Sequence, residues 1–142
     1  MQVAILGCGQ LARMMALAGI PLGLRFSFLA QAEEDTAPVE GLGTVYRLTG
    51  NESFEQIHEG LNRPQVVTVE REQFPIAVLR GLAEYCAVHP NPDAIYRCQH
   101  RLRQKRLLQE VKVPHTPYRV IASPAALTQA AEDFGWPLVI KN

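Results

Sequence analysis

The amino-terminal stretch through Gly19 constrains the fold more than any other part of the sequence. An apolar run, Gln2–Leu6, leads into the letters GCGQLA at positions 7–12, after which apolar residues recur at helical spacing. This order predicts a buried strand, a tight glycine turn and a helix. A strand that passes directly into a helix in this way begins a βαβ unit, so we expect a parallel sheet.

Residues 1–90 repeat this alternation. Short apolar runs rich in β-branched residues predict strands, and stretches with apolar residues three or four apart predict helices. The sequence therefore favours an α/β fold, a Rossmann-like parallel sheet with helices on both faces. The predicted strands are 2–6, 25–29, 44–48, 65–70 and 87–90, and the predicted helices are 9–19, 51–64 and 74–85.

Three local signals add detail to these elements. Ser53 and Gln56 have the spacing of a capping box at the start of the second helix. Between the second and third strands, the acidic stretch 31–43 contains proline and glycine and predicts a solvated loop. In the first helix, helical spacing predicts an apolar face formed by Leu11, Met14, Met15 and Ala18.

The pattern changes after residue 92. A basic stretch replaces the apolar alternation, and prolines interrupt the segment that follows it. We therefore predict two domains, residues 1–92 and residues 93–142. The elements predicted for the second are a helix over 93–110, a strand near 119–121, a helix capped by Ser123 and ended by Gly135, and a strand over 136–142.

The composition narrows the class of protein. The chain has 142 residues, 47% of them hydrophobic, and 14 basic residues balance 14 acidic ones. This balance is not typical of nucleic-acid binding, no apolar run approaches the ~20 residues of a membrane span, and no signal peptide is recognisable. Three separated cysteines, Cys8, Cys86 and Cys98, favour a reducing cytoplasm and give neither a disulfide framework nor a metal site.

The glycine turn itself allows three interpretations. Gly9 would let the backbone approach a ligand closely, and the amides that open the helix would attract a phosphate or a carboxylate. The spacing also matches a dinucleotide-binding turn, but that function needs an acid at the end of the second strand to hold a ribose hydroxyl. The first acid after that strand is Glu33. The third interpretation is a turn with a structural role alone.

Ligands of parallel α/β sheets bind beyond the carboxyl ends of the strands. Glu70 and Glu72 follow the fourth strand two residues apart, so in extended backbone both would face one crevice and accept hydrogen bonds from a polar ligand. Exposure of both to solvent fits the spacing equally well. Lys141 closes an apolar segment, where a buried lysine would need an anion such as phosphate. The four predicted strand ends are 6–10, 29–31, 69–73 and 89–90.

Four segments together resemble one family. They are ILGCGQLARMMALAGIPLG, VVTVEREQFP, RLRQKRLLQEVKVPHTPY and WPLVIK, in the order and spacing of 5-(carboxyamino)imidazole ribonucleotide synthase, an ATP-grasp enzyme. The resemblance covers the whole chain and implies a pre-ATP-grasp domain followed by the start of an ATP-grasp domain. It also implies an ATP-dependent carbon–nitrogen ligase that carboxylates aminoimidazole ribonucleotide with bicarbonate in de novo purine biosynthesis.

The resemblance also implies roles for individual residues and ligands. The implied cofactors are ATP and Mg²⁺, the implied partners are aminoimidazole ribonucleotide and bicarbonate, and a homodimer is a possible assembly. The sequence departs from the family pattern at Cys8, Ala12, Arg71, Gln73 and His100. The residues implied to bind the ribonucleotide are Gly9, Gln10, Leu11, Glu70 and Glu72, and those implied to bind ATP are Arg101 and Lys141.

The chain ends one residue after Lys141, before the glycine-rich loop and the magnesium-binding acids on which the family's chemistry depends. The resemblance therefore implies no catalytic residue and no metal ligand within these residues, and no turnover by the 142 residues alone. Three other functions remain open on the sequence: an NAD(P)-binding domain of an oxidoreductase, a non-catalytic nucleotide-sensing module, and an ATP-grasp ligase with a different acceptor.

Overall fold

A computed structural model of the chain describes residues 1–141. The chain divides into two compact units, Met1–Tyr96 and Arg97–Asn142. The predicted domain boundary between residues 92 and 93 stays a prediction. Among the described residues, no helix combines the length and apolar character needed to cross a membrane.

The first unit is an α/β fold, as predicted. Its five strands form one parallel sheet in the order β3-β2-β1-β4-β5. The strands are β1 Gln2–Leu6, β2 Arg25–Ala30, β3 Thr44–Arg47, β4 Val66–Val69 and β5 Ala87–Val88, and the helices are α1 Gln10–Gly19, α2 Phe54–Gly60, α3 Ile76–Leu82 and α4 Pro92–Cys98, which extends past the unit's end.

The sheet buries both of its faces. Along β1, Val3 and Ile5 contribute to one core and Ala4 and Leu6 to another, because successive side chains of a strand point to opposite faces. The first core is completed by α1, and the second by α2 and α3. The prediction of helices on both faces is therefore confirmed.

The first helix, α1, buries a different face from the predicted one. Its buried residues are the small ones, Ala12, Ala16 and Gly19. A Cβ atom on Gly19 would lie 2.5 Å from the ring of Phe26, so the helix lies too close to the sheet to bury large side chains on that face. Of the four residues predicted to form its apolar face, Met15 is half-buried, whereas Leu11, Met14 and Ala18 are exposed.

The capping box of α2 is confirmed. The Ser53 hydroxyl accepts a hydrogen bond from the Gln56 amide, and the Gln56 side chain accepts one from the Ser53 amide. The loop at 31–43 is only partly solvated, contrary to the prediction. It contains a 3-10 turn, Ala37–Val39, whose Val39 side chain is buried beside α1.

The second unit contains two long helices, α5 Arg101–Glu110 and α6 Pro124–Phe134. Ser123 caps α6 as predicted. The predicted helix over 93–110 is divided instead, because His100 adopts extended backbone and its Nδ1 accepts a hydrogen bond from the Leu102 amide to cap α5.

The two strands predicted in this second unit are absent from its described residues. Residues 119–121 and 136–141 have no strand assignment and find no partner strand there, and Asn142 lies outside the described residues. Most of their apolar side chains are exposed, with Val139 at 81% and Ile140 at 67%, and Leu138 is half-buried. Apolar sequence alone therefore gave the wrong element, since a strand exists only with a neighbour to which its backbone bonds.

Candidate functional site

The candidate site lies where the strand order of the sheet reverses. The first strand, β1, lies between β2 and β4. The chain places β2 and β3 on one side of β1, and β4 and β5 on the other side. A crevice forms beyond the carboxyl ends of adjacent strands at such a point, and ligands of open parallel sheets bind there. The glycine turn follows β1, and Glu70 follows β4 directly beside it.

Glu70 places its carboxylate on the glycine turn. Its backbone amide donates to the Leu6 carbonyl at 3.1 Å, which extends the pairing of β4 with β1. Its side-chain Oε2 accepts hydrogen bonds from the amides of Gly9 at 2.9 Å and Ala12 at 3.0 Å. The side chain is only 5% exposed. The carboxylate therefore caps α1 at the end where the helix dipole stabilises negative charge.

The two glycines of the turn make room for this carboxylate. A Cβ atom on Gly7 would lie 2.5 Å from the Glu70 Cγ, and one on Gly9 would lie 2.9 Å from its Oε1. Gly7 also has a φ of +108°, a conformation that side chains with a Cβ rarely adopt. The group that approaches the two glycines closely is therefore the Glu70 side chain of the protein itself and not a ligand.

Glu34 is a second carboxylate on the turn, and sequence reasoning missed it. Its Oε1 accepts a hydrogen bond from the Cys8 amide at 2.9 Å, and its Oε2 accepts one from the Gln31 amide at 3.0 Å. Its side chain is 11% exposed. The signal in the sequence was an acid shortly after β2, close enough to reach the neighbouring turn, in a stretch that was interpreted as a solvated loop.

Arg47, the last residue of β3, holds the loop that carries Glu34. Its Nη1 donates to the carbonyl oxygens of Gln31, Ala32 and Glu34 at 2.9, 2.8 and 2.9 Å. The carboxyl ends of β1, β2, β3 and β4 are therefore connected through one polar network around the turn.

Two backbone amides and one carboxylate oxygen of this network have no hydrogen-bond partner among the described residues. In the part of the chain that the structure describes, the amides of Gln10 and Leu11 donate to no protein atom, as expected in the first turn of a helix. The Oε1 atom of Glu70 accepts no hydrogen bond there either. Since every fully buried polar side-chain atom in that part has a partner, this oxygen is in contact with solvent.

This arrangement disfavours a dinucleotide ligand. A pyrophosphate would bind to the amides of the turn. Three of those amides, on Cys8, Gly9 and Ala12, already donate to carboxylates, and the same carboxylates would repel a pyrophosphate. The crevice is better suited to a ligand that offers hydroxyl or amine donors to Glu70.

Cys8 is chemically passive within the turn. Its side chain is fully buried. Burial first, and then the charges of Glu34 and Glu70, raise the pKa of this thiol from 9.0 to about 12, although Arg47 lowers it in part. A thiol that remains protonated at neutral pH is a poor nucleophile, so Cys8 has no place in covalent chemistry here.

We expect the cysteines to differ in reactivity toward iodoacetamide at pH 8. Cys98 is exposed and should be alkylated first, Cys86 is half-buried with a pKa raised by burial and should follow, and Cys8 should be alkylated last. Peptide mass spectrometry after timed quenching measures the order. In urea all three should react at similar rates, and rapid alkylation of Cys8 in the folded chain would contradict its described environment.

The raised pKa of the Cys8 thiol also predicts how the stability of the folded state changes at alkaline pH. Between pH 9 and about pH 12 the unfolded chain can ionise Cys8 and the folded chain cannot. The folded state should therefore lose stability as the pH rises through this range. Urea unfolding of Cys8→Ala and of the unchanged chain at pH 8 and pH 10 measures this loss, which should be smaller in the variant.

Glu72 does not share the environment of Glu70. The strand β4 ends at Val69, and residues 70–72 form a bend, so the alternation expected of extended backbone does not reach Glu72. Glu72 is exposed, and its carbonyl accepts a hydrogen bond from the Phe74 amide at 2.9 Å.

The two predicted ATP-binding residues belong to the second unit. Arg101 is the exposed first residue of α5, and its Nη1 donates to Gln104 Oε1 at 3.3 Å. Lys141 is exposed and lies in no strand, so the expectation of a lysine buried at a strand end is wrong.

Known proteins resemble this chain in sequence and in structure. N5-carboxyaminoimidazole ribonucleotide synthases of Pseudomonas aeruginosa and Vibrio cholerae are 31% and 32% identical to it over 142 residues, all of this chain. The crystal structure of N5-carboxyaminoimidazole ribonucleotide synthetase from Thermus thermophilus superposes with a TM-score of 0.78 at 33% identity over 95% of this chain.

A second structure carries ligands. The Aspergillus clavatus N5-carboxyaminoimidazole synthase, in complex with ADP and 5-aminoimidazole ribonucleotide, superposes with a TM-score of 0.77 at 25% identity over 96% of this chain. The chain spans 36% to 39% of the length of these four relatives. Residues 1–99 match the family described as the ribonucleotide synthetase preATP-grasp domain. The match takes in the whole sheet, the glycine turn and both carboxylates, and the chain belongs to this family.

Proposed function

We propose that this chain forms the acceptor-substrate side of an ATP-dependent ligase that carboxylates aminoimidazole ribonucleotide with bicarbonate in de novo purine biosynthesis. The observation that carries the proposal is the Glu70 carboxylate, whose Oε2 is held on the glycine turn at the strand-order reversal while its Oε1 accepts no hydrogen bond and is in contact with solvent. Support comes from the relatives named as N5-carboxyaminoimidazole ribonucleotide synthases and from the one that binds 5-aminoimidazole ribonucleotide.

In this proposal the site binds the ribonucleotide at two places. The open oxygen of Glu70 accepts hydrogen bonds from ligand hydroxyl groups, and a carboxylate is a strong acceptor for them. The free amides of Gln10 and Leu11, at the positive end of α1, receive an anionic group of the same ligand. Gly9 contributes the close packing that holds Glu70, and Glu72 provides a second acid at the exposed rim.

In this proposal residues 93–142 take part in binding ATP. Arg101 and Lys141 contact ATP, and residues 93–142 form the start of the ATP-grasp domain. ATP supplies the energy for activating bicarbonate. Among residues 1–141 no three acidic, histidine or cysteine side chains converge into a metal site, so we assign no residue of this chain to Mg²⁺. A cytoplasmic location and a homodimer complete the proposal.

The test uses the full-length product of the gene that encodes this chain. Isothermal titration with aminoimidazole ribonucleotide should show saturable binding, and phosphate release from ATP in the presence of bicarbonate should depend on that ribonucleotide. Titration with NADH is the control for the dinucleotide alternative. Saturable NADH binding without binding of aminoimidazole ribonucleotide would contradict the proposal.

A further inference from the structure

Arg71 connects the two carboxylates of the turn. Its Nη2 lies 3.7 Å from Glu34 Oε1, and its Nε lies 3.9 Å from Glu70 Oε1. Both distances exceed hydrogen-bond length, so the contacts are ion pairs that act through charge. The Arg71 side chain is half exposed, whereas the two carboxylates are 11% and 5% exposed.

The two carboxylates need such a cation. Each is almost buried, both approach the same guanidinium, and like charges that share a poorly solvated site repel each other. This repulsion acts on the two side chains that accept the amides of the turn, and without a cation it would displace Glu70 from the position in which it offers its open oxygen as an acceptor.

The other charged or titratable groups around the pair do not replace Arg71. Arg47 keeps its charge near the turn, but it donates to three loop carbonyl oxygens and, among the described residues, forms no ion pair with either carboxylate. Arg13 of α1 donates to the Pro38 carbonyl, and the first turn of α1 contains no acid. The Cys8 thiol is neutral at physiological pH, and Glu72 lies exposed on the bend. Within residues 1–141, Arg71 is the side chain that ion-pairs with both carboxylates.

We propose that Arg71 is a positioning residue: its charge offsets the repulsion between Glu34 and Glu70 and so holds the open oxygen of Glu70 where a ligand can reach it. Because the contacts are ionic and not bidentate, a lysine at this position retains the function and a neutral side chain does not. The part of this proposal that concerns ligand binding rests on the proposed function.

The first measurement needs no ligand. The melting temperatures of the full-length gene product, R71M and R71K are compared at pH 8 in low and in high salt. R71M should melt below the unchanged protein in low salt, because the two carboxylates then repel each other without a compensating cation. The difference should shrink in high salt, because mobile ions screen the repulsion at this half-exposed site. R71K should follow the unchanged protein. A difference for R71M that is independent of salt would overturn the proposal, since lost packing has no such dependence.

The second measurement uses aminoimidazole ribonucleotide. Its affinity for R71M in low salt should be roughly tenfold below its affinity for the unchanged protein, while R71K should bind it almost as tightly as the unchanged protein does. The double variant E34Q/R71M removes one of the two opposed charges and should recover most of the affinity. R71K behaving like R71M, or a double variant that binds as weakly as R71M, would overturn the proposal. If the unchanged protein binds no aminoimidazole ribonucleotide, the proposed function fails, and the melting series still decides the role of Arg71.

Discussion

Glu70→Ala is expected to weaken binding of aminoimidazole ribonucleotide roughly 10- to 100-fold while leaving ATP affinity nearly unchanged. Hydrogen bonds to a charged acceptor contribute about 1.5–3 kcal/mol, which corresponds to this range of affinity. The variant also removes the cap from α1 and leaves the amides of Gly9 and Ala12 without their acceptor, so the free energy of unfolding should fall by about 1–2 kcal/mol. Isothermal titration and urea unfolding measure the two effects.

Two further variants serve as controls for Glu70→Ala. Glu72→Ala removes an exposed acid two residues away and should change the free energy of unfolding by less than about 0.5 kcal/mol. Glu70→Gln keeps the size of the side chain and one acceptor oxygen, so it should recover part of the stability and little of the ligand affinity. Equal weakening of ribonucleotide and ATP binding in Glu70→Ala, or no weakening, would remove Glu70 from the site.

Gly7→Ala is expected to destabilise the first unit by roughly 2–5 kcal/mol. Two physical terms add here: a φ of +108°, which a residue with a Cβ adopts only with strain, and a Cβ placed 2.5 Å from the Cγ of Glu70. Urea unfolding followed by circular dichroism gives the change in free energy of unfolding. Relief of the clash by displacement of Glu70 would also reduce ribonucleotide affinity.

The two terms can be separated by matched variants. Gly50 has a φ of +96° and open space around its missing Cβ, so Gly50→Ala carries the backbone strain without the clash and should cost less. In a Glu70→Ala background, Gly7→Ala should lose its steric component, giving a coupling energy of about 1–2 kcal/mol in a double-mutant cycle. Additive effects of the two substitutions would show that the turn does not pack against Glu70.

Local sequence signals predicted most of the first unit. The apolar run of β1, the capping box at Ser53 and the turn at Gly7 each depend on residues close in sequence, and each was confirmed. The phase of α1 could not be predicted in this way, because it depends on how closely the helix approaches Phe26, a contact formed only after the sheet has assembled.

In the candidate site, too, local features were predictable from the sequence and contacts between distant residues were not. Glu70 was recognisable because it follows a strand end, but its hydrogen bonds to the turn depend on the pairing of β4 with β1, two strands far apart in sequence. Glu34 and Arg71 carried no motif, since a carboxylate in an acidic loop and an arginine on a bend look like solvated residues until the fold brings them together. The strands predicted at 119–121 and 136–141 were wrong for a similar reason. A strand forms only beside a neighbouring strand, and the local sequence does not show whether one is present.

The carboxylates on the turn also determine how the crevice behaves before any ligand arrives. Since Glu34 and Glu70 already satisfy the amides of Cys8, Gly9 and Ala12, the turn requires no ligand to become ordered. Ligand entry then has little backbone entropy to remove, and preorganisation of this kind favours affinity. In hydrogen exchange, these three amides would be protected in the ligand-free protein, while the amides of Gln10 and Leu11 exchange freely until a ligand covers them.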